Sequence, residues 1–297
     1  MKTTTIAAAL NRWILVGFLV MTTIGELKGQ PIFYSVNVDQ GGDDELVKVD
    51  ATTGQVNVIG SLGPSVQLDF PSLAVLNGRL FLIHPTTAAD PVELLELDTS
   101  TGAVLSTTRI NLGGNSIPLV EGFDSNGGQL VISYGLTSGG GTGTRSNRIG
   151  TLALDGTISN SVTLSASDDI DGLAVDNQAR FFGADASSPN VGSDILSISL
   201  SPPSTTLLST IGSTDTDILD LAFTDTGLLF GLDVAGVNIG LPRRIHQIDP
   251  LTGNSLTSVP IDLSWTLRGL ASVPEPTTCG LALAAALCLA VGRRRSR

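Results

Sequence analysis

The residues best able to do chemistry in this 297-residue sequence are carboxylates that precede four of five similar apolar segments. The segments centre on large apolar anchors spaced by 50, 50, 48 and 49 positions: Leu73, Phe123, Leu173, Leu221 and Leu270. Acidic side chains occupy several positions two or four residues before these anchors: Asp69, Glu121, Asp169, Asp171 and Asp217. Arg268 is the one basic residue in those two rows. Because alternate residues of a strand share a face, the spacing predicts that these side chains ring one mouth of a channel.

Converging carboxylates support two kinds of chemistry. Oxygen-rich clusters suit Ca²⁺, which takes about six to eight oxygen ligands. A spaced pair can instead act as general acid and as nucleophile or base on a glycosidic bond. The third interpretation is structural, with the acids capping turns between repeats and remaining solvated. Calcium is the only cofactor that the pattern suggests.

Other catalytic arrangements are missing from the sequence between residues 30 and 273. His84 and His246 are its two histidines, and it contains no cysteine, which excludes a zinc site of the usual ligands and a Cys–His nucleophile pair. No Gly-x-Ser-x-Gly motif occurs. The glycine-rich residues 138–143 lack the Lys-Ser/Thr of a phosphate-binding loop, and the acidic residues 39–45 lack the spacing of a calcium loop. Both stretches are interpreted as surface loops.

The anchors define a repeat of about 49 residues, and each repeat predicts four β-strands. A turn rich in Asn, Asp and Gly follows the anchor strand, and alternating apolar and polar residues then mark three further strands, the last being the most polar. The turn before that last strand is often Asp-x-x-Thr-Gly, as in residues 98–102 and 249–253. This period without a helical pattern is typical of a propeller blade. We predict an all-β, five-bladed β-propeller, with a pair of β-sandwiches as the alternative.

The two ends of the repeat array predict how the ring closes. Residues 32–60 supply strands two, three and four of a blade that lacks its first strand, whereas Thr266–Val273 is a first strand without a blade. Pairing these two segments completes the fifth blade. Closure also removes strand edges that would otherwise pair with other chains.

Charge and thiol content restrict the partners of this domain. Residues 30–273 contain 26 acidic and nine basic residues, a net charge of −17. Such a surface repels phosphate backbones and argues against nucleic-acid binding. Both cysteines, Cys279 and Cys288, lie beyond the repeats, so no disulfide is predicted within them.

Residues 1–29 are typical of a secretory signal peptide. Lys2 and Arg12 precede an apolar run from Trp13 to Ile24, the order of basic and apolar regions found in exported proteins. No Ala-x-Ala cleavage site follows, and we expect the mature chain to begin near residues 26–30.

The C-terminal residues 274–297 combine three features in a specific order. A Pro-Glu-Pro motif precedes an apolar run from Cys279 to Val291 and a basic cluster; the motif and cluster residues are Pro274, Glu275, Pro276, Arg293, Arg294 and Arg295. The run is shorter than the roughly 20 residues of a stable transmembrane helix, and basic flanks favour the cytoplasmic side. This order resembles the PEP-CTERM sorting signal of exported bacterial proteins. An ordinary membrane anchor is the alternative.

The resemblance implies processing by an exosortase, a membrane enzyme that removes the tail, and an association with exopolysaccharide or biofilm. The protein is then expected to be held in the inner membrane by a transmembrane helix after use of the secretion machinery, and later to reach the cell surface or medium.

For the domain at residues 30–273, we predict a non-enzymatic binding or structural role, with a polysaccharide or surface protein as partner. The alternative is a secreted hydrolase of carbohydrates or lactones that uses the acidic mouth, with or without calcium.

Overall fold

The structure is a computed structural model that describes residues 30–38, 43–64, 66, 68, 71–84, 92–111, 118–136, 145–186, 192–212, 216–234 and 242–274. These residues form β-strands and no helix, so nothing in the described part is a helix able to cross a bilayer. The predicted signal peptide, the apolar run of the tail and its arginine cluster lie outside the described residues. Glu275 and Pro276 do as well, and the sorting signal stays a prediction.

Within the described ranges, twenty strands, numbered in chain order, form five four-stranded sheets that we call blades 1 to 5. Blade 1 contains β20 (Leu267–Ser272), β1 (Ile32–Asn37), β2 (Glu45–Asp50) and β3 (Val56–Ser61). Blade 2 contains β4 (Ser72–Leu76), β5 (Arg79–His84), β6 (Glu93–Leu97) and β7 (Val104–Arg109). Blade 3 contains β8 (Pro118–Asn126), β9 (Gln129–Leu136), β10 (Arg148–Leu152) and β11 (Ile158–Thr163). Blade 4 contains β12 (Gly172–Val175), β13 (Phe181–Asp185), β14 (Ser193–Leu200) and β15 (Pro203–Ile211). Blade 5 contains β16 (Ile218–Phe223), β17 (Leu229–Asp233), β18 (Arg244–Ile248) and β19 (Ser255–Pro260).

The predicted five-bladed propeller is confirmed, including its closure through both ends of the repeat array. β20 pairs antiparallel with β1, with Phe33 opposite Ser272. Two further backbone hydrogen bonds extend this pairing, from Val38 N–H to Thr266 O at 2.8 Å and from Val273 N–H to Ile32 O at 2.9 Å. The first strand of blade 1 therefore comes from the C-terminal end of the repeats and the other three from the N-terminal end.

In the part of the chain that the structure describes, the core consists of five buried apolar clusters, each shared by two neighbouring blades. In one of them Phe33 of blade 1 packs against Phe230 of blade 5, with ring centroids 5.1 Å apart. Burial of such a side chain stabilises the fold by about 1.5–3 kcal/mol. Because every blade packs against two neighbours around a centre, the alternative of two β-sandwiches is wrong.

The Asp-x-x-Thr-Gly turns connect three of the blades, blades 1, 2 and 5, with a neighbour. In blade 2, Asp98 Oδ1 accepts the Ser100 N–H at 2.7 Å, and the Gly102 N–H donates to Asp98 O at 2.8 Å. Gly102 has a φ of +80°, and a Cβ there would lie 2.5 Å from the carbonyl oxygen of Gly60 in β3. Glycine thus permits both the left-handed turn and the close approach to blade 1. Equivalent turns at residues 50–54 and 249–253 lie against β19 and β15.

Candidate functional site

The inner strands of the blades surround the centre of the ring, and their N-terminal ends enclose a cavity. β4, β8, β12, β16 and β20 contact one another in ring order. The cavity has a volume of about 260 Å³. We call this end of the channel the N-terminal mouth. Its charged lining residues are Glu121, Asp171, Asp217, Asp220 and Arg268, and its apolar wall includes Pro71, Leu219, Leu232 and Val234.

Three of the acids singled out in the sequence come together at this mouth. Glu121, Asp169 and Asp171 each place one carboxylate oxygen within 4.8 Å of the other two. We call these residues the acidic triad. Asp217 lies on the cavity wall without joining the triad, and Asp69 is outside the described residues. The spacing of the repeat therefore located the mouth and most of its acids.

Loops and strands of three blades hold the triad in place. Glu121 lies in β8 of blade 3, and its carbonyl oxygen accepts a hydrogen bond from the Ser72 hydroxyl of blade 2. Asp169 and Asp171 precede β12 of blade 4. The Ser146 N–H donates to Asp169 Oδ1 at 2.7 Å, and the Ala186 N–H donates to Asp171 Oδ2 at 2.7 Å. The two aspartates are thus oriented by backbone donors.

Burial and mutual repulsion favour the protonated forms of the triad. Desolvation raises the pKa of Glu121 to about 8; the charges of Asp171, Asp169 and Asp185 add to this effect, and the Ser146 hydroxyl opposes it. Desolvation also raises the pKa of Asp171 to about 7, against the hydrogen bond from Ala186. In the absence of a cation, the triad therefore retains protons near neutral pH.

Arg268, which lines the mouth, lies close to Asp217 and to Arg243. Burial raises the pKa of Asp217, whereas the positive charge of Arg268 lowers it. Burial lowers the pKa of Arg243 to about 10, and the positive charge of Arg268 makes a smaller contribution in the same direction. Arg243 is itself held by a hydrogen bond to the Trp265 carbonyl oxygen. The mouth thus combines a cluster of acids with the Arg268 guanidinium group, and Arg243 lies near Arg268 without lining the cavity.

Sequence reasoning missed Ser146 and Asp185, which also belong to this environment. Ser146 is fully buried, and its hydroxyl lies beside the Glu121 carboxyl. Asp185 ends β13, and its charge raises the pKa of both Glu121 and Asp171. An alignment of second strands would have found Asp185, because Phe-Gly-Leu-Asp233 in β17 repeats the pattern of Phe-Gly-Ala-Asp185. Nothing in the local sequence marks Ser146.

Asp220, also missed, has a structural role at the base of the mouth. It is 2% exposed, and burial raises its pKa well above the ordinary value. Its carboxylate accepts the Leu270 N–H of the neighbouring inner strand at 2.7 Å and the Leu221 N–H at 2.9 Å. These bonds connect β16 to β20, and they stabilise the ring at its centre.

The C-terminal ends of the inner strands enclose a second cavity of about 370 Å³. Asp124 and Asp176 contribute to its wall, and Pro274, the first residue of the predicted sorting motif, borders it. Asp124 Oδ2 accepts the Val175 N–H at 2.6 Å, which connects blades 3 and 4. The predicted tail therefore leaves the propeller at the rim opposite to the acidic triad.

No protein-family model matches this chain, and no curated protein matches it by sequence. Similar solved structures include a protein of unknown function from Bacteroides caccae, at 9% identity, 78% coverage of this chain, 73% of that chain and a TM-score of 0.43. A luciferin-regenerating enzyme has 16% identity, coverages of 80% and 79% and a TM-score of 0.42. A chain of a nidogen/laminin complex has 10% identity, coverages of 82% and 98% and a TM-score of 0.45. At these identities the likeness concerns the fold alone.

Proposed function

We propose that this protein is an exported β-propeller that binds a hydroxyl-rich extracellular ligand, such as a sugar unit of a polysaccharide, in the N-terminal mouth and does not transform it. The observation that carries the proposal is the combination of groups around one cavity. Carboxylates, a guanidinium group and an apolar wall all line the same space.

Each part of that lining matches a feature of a sugar. The carboxylates of Glu121, Asp171 and Asp217 accept hydrogen bonds from hydroxyl groups, and Arg268 donates them to ligand oxygens. The apolar wall, including Leu219, contacts the C–H surface of a sugar ring. The volume of about 260 Å³ is slightly below the range of roughly 300–1,000 Å³ typical of small-molecule pockets. A terminal unit of a longer chain is therefore a suitable occupant.

The binding proposal is tested by a glycan array followed by calorimetry with the purified protein. We expect Arg268→Gln to weaken binding by about tenfold or more, equivalent to ~1.4 kcal/mol, because it removes the cationic donor of the mouth. Arg109→Gln is the matched control, since Arg109 is exposed on the outer strand β7. Unchanged affinity in Arg268→Gln, or no binding to any glycan, would contradict the proposal.

Export and sorting form the second part of the proposal, supported by the order of motif, apolar run and arginines in the tail. In a bacterium that contains an exosortase, we expect mass spectrometry to show the exported protein without its tail. Joint replacement of Pro274, Glu275 and Pro276 by alanine should leave the tail attached and the protein in the membrane fraction. Alanines at Thr277 and Thr278 provide the control. Equal processing in a strain that lacks the exosortase would argue against this part.

A hydrolase of carbohydrates or lactones is the second candidate, favoured by the geometry of one carboxyl pair. Glu121 and Asp171 bring oxygens within 4.8 Å of each other, close to the roughly 5 Å separation of retaining glycosidases. Their raised pKa values, about 8 and about 7, would keep a general acid protonated near neutral pH. Release of reducing sugar or opening of a lactone, lost in both Glu121→Gln and Asp171→Asn, would establish this candidate over simple binding.

A further inference from the structure

The geometry of the acidic triad fits a single ion. Oxygens that bind one Ca²⁺ lie about 2.3–2.6 Å from it, so any two of them are separated by roughly 5 Å at most. The three carboxylate oxygens of Glu121, Asp169 and Asp171 are all within 4.8 Å of one another. They come from β8 of blade 3 and from the segment before β12 of blade 4, so one ion between them would connect two blades.

A second observation at the same place points to a missing ligand. Ser146 has no exposed surface, and its hydroxyl lies beside the Glu121 carboxyl. The Ser146 hydroxyl is close enough to the Glu121 carboxyl to lower its pKa, but neither Ser146 Oγ nor Glu121 Oε2 meets the distance and angle of a hydrogen bond with any described residue. Buried polar atoms without partners are uncommon in folded proteins. Because both are oxygens, a cation between them would satisfy both at once.

We propose that Glu121, Asp169, Asp171 and the Ser146 hydroxyl bind one Ca²⁺ ion at the N-terminal mouth. The donors are all hard oxygens, which calcium prefers, and they include no nitrogen or sulfur. The adjoining cavity of about 260 Å³ supplies room for waters or ligand hydroxyls to complete the coordination. This inference adds an ion to the site of the proposed function. It rests on that function only in placing the ion where the sugar binds.

Calcium binding has a simple electrostatic consequence. Three carboxylates held close together repel one another when ionised, so the calcium-free triad retains protons, and a divalent ion removes most of that repulsion. Calcium should therefore stabilise the folded protein, whereas an amide in place of one triad carboxyl should remove this gain without destabilising the calcium-free form. This combination separates a binding site from an acid that merely supports the fold.

The test uses the full-length protein freed of metal with EDTA and titrated with CaCl₂ or MgCl₂ in a calorimeter, followed by thermal unfolding. We expect one Ca²⁺ per chain, weaker Mg²⁺ binding, and a rise in Tm of roughly 5–10 °C at a calcium concentration of about 100 times Kd. Glu121→Gln and Asp171→Asn should lose this rise. Asp155→Asn should keep it, because Asp155 lies in an exposed turn of blade 3, where it accepts the Thr157 N–H at 3.0 Å.

The variants also report their own folding, since Glu121→Gln should melt no lower than the wild type in EDTA. Absence of calcium binding in the wild type, equal affinity for Mg²⁺, or an undiminished calcium shift in both variants would overturn the inference. The glycan array tests sugar binding independently of calcium binding. Sugar binding without calcium binding would overturn the ion and leave the proposed function, and calcium binding without sugar binding would do the reverse.

Discussion

Glu121 and Asp220 are both buried acids at the centre of the ring, but their surroundings give them different roles. Asp220 receives backbone hydrogen bonds from Leu221 and Leu270, so its carboxylate is occupied in connecting two inner strands. Glu121 Oε2 has no hydrogen-bond partner among the described residues and faces a cluster of like charges. Burial alone is therefore a poor guide to function at this site. The number of backbone donors around each carboxylate distinguishes the structural acid from the binding candidate.

At the residue scale, the stability of the calcium-free protein should depend on pH through Glu121. Its pKa rises from 4.5 to about 8 in the folded protein, through burial and the charges of Asp171, Asp169 and Asp185. A raised pKa means that the folded state binds the proton more tightly than the unfolded state. This stabilising contribution is fully present below about pH 4.5 and is lost as the pH rises through about 8.

Urea unfolding in EDTA across this pH range measures the effect. We expect the free energy of unfolding to fall by a few kcal/mol as the pH rises, since one pH unit corresponds to ~1.4 kcal/mol for a single group. Glu121→Gln should reduce the slope, and Asp155→Asn should retain it. Identical slopes in the wild type and Glu121→Gln would show that other groups cause the dependence.

At the scale of the strands and turns, the blades are joined by backbone contacts as well as by apolar side chains. The Asp-x-x-Thr-Gly turn of blade 2 lies directly against Gly60 in the outer strand of blade 1. The inner strands make similarly close contacts, because a Cβ at Gly122 would lie 2.8 Å from the Leu173 backbone nitrogen. Close packing of this kind leaves no room for a methyl group, and overpacking of a well-packed interior usually costs about 1–3 kcal/mol.

Two glycines of blade 2 allow the energetic cost of a clash between blades to be separated from the cost of a left-handed backbone conformation. Gly102 and Gly78 have similar φ values of +80° and +76°, but a Cβ at Gly78 would meet nothing within 4 Å. We expect Gly78→Ala to cost about 1 kcal/mol for the left-handed conformation. Gly102→Ala should cost about 1–3 kcal/mol more, since it also collides with Gly60. Urea denaturation measures both, and equal losses would show that the contact between blades contributes nothing.

At the scale of the whole molecule, the ring is closed by the strand that immediately precedes the predicted sorting tail. β20 ends at Ser272, and Val273 still donates a hydrogen bond to Ile32. Leu267 and Leu270 are buried in the cluster between blades 1 and 5. Removal of a tail that begins at Pro274 would therefore leave the pairing and the core of blade 1 intact.

Two truncations test this division between ring and tail. A chain that ends at Pro274 should melt at the same temperature as the full chain, because it keeps all of β20. A chain that ends at Thr266 should melt at a much lower temperature or fail to fold, since it exposes β1 and two buried leucines, each worth about 1.5–3 kcal/mol. Thermal unfolding and limited proteolysis compare the two. Similar melting of both truncations would exclude an essential role for closure.

The architecture was predictable because its determinants are local and repeated. Apolar anchors at intervals near 49 residues specify similar strands in every blade, and Asp-x-x-Thr-Gly turns such as residues 98–102 recur in three blades. Residues 32–60 and Thr266–Val273 complement each other to form one blade, so the ring closes with five blades. The same rows of acids also located the mouth where Glu121, Asp169 and Asp171 lie.

The tertiary structure decided which of these acids meet in one cluster and which further side chains join them. The pairing of β8 with β9 shifts register between Val120 and Phe123, and β16 and β20 contain similar irregularities. Such bulges redirect side chains, so the simple alternation used to group the acids does not hold there. Ser146 reaches Glu121 from another part of blade 3. The sequence by itself determined the blades and the ring, because strand and turn signals act over a few residues. Only the folded ring decided the site, because its members approach one another through bulges and blade contacts that have no local signature.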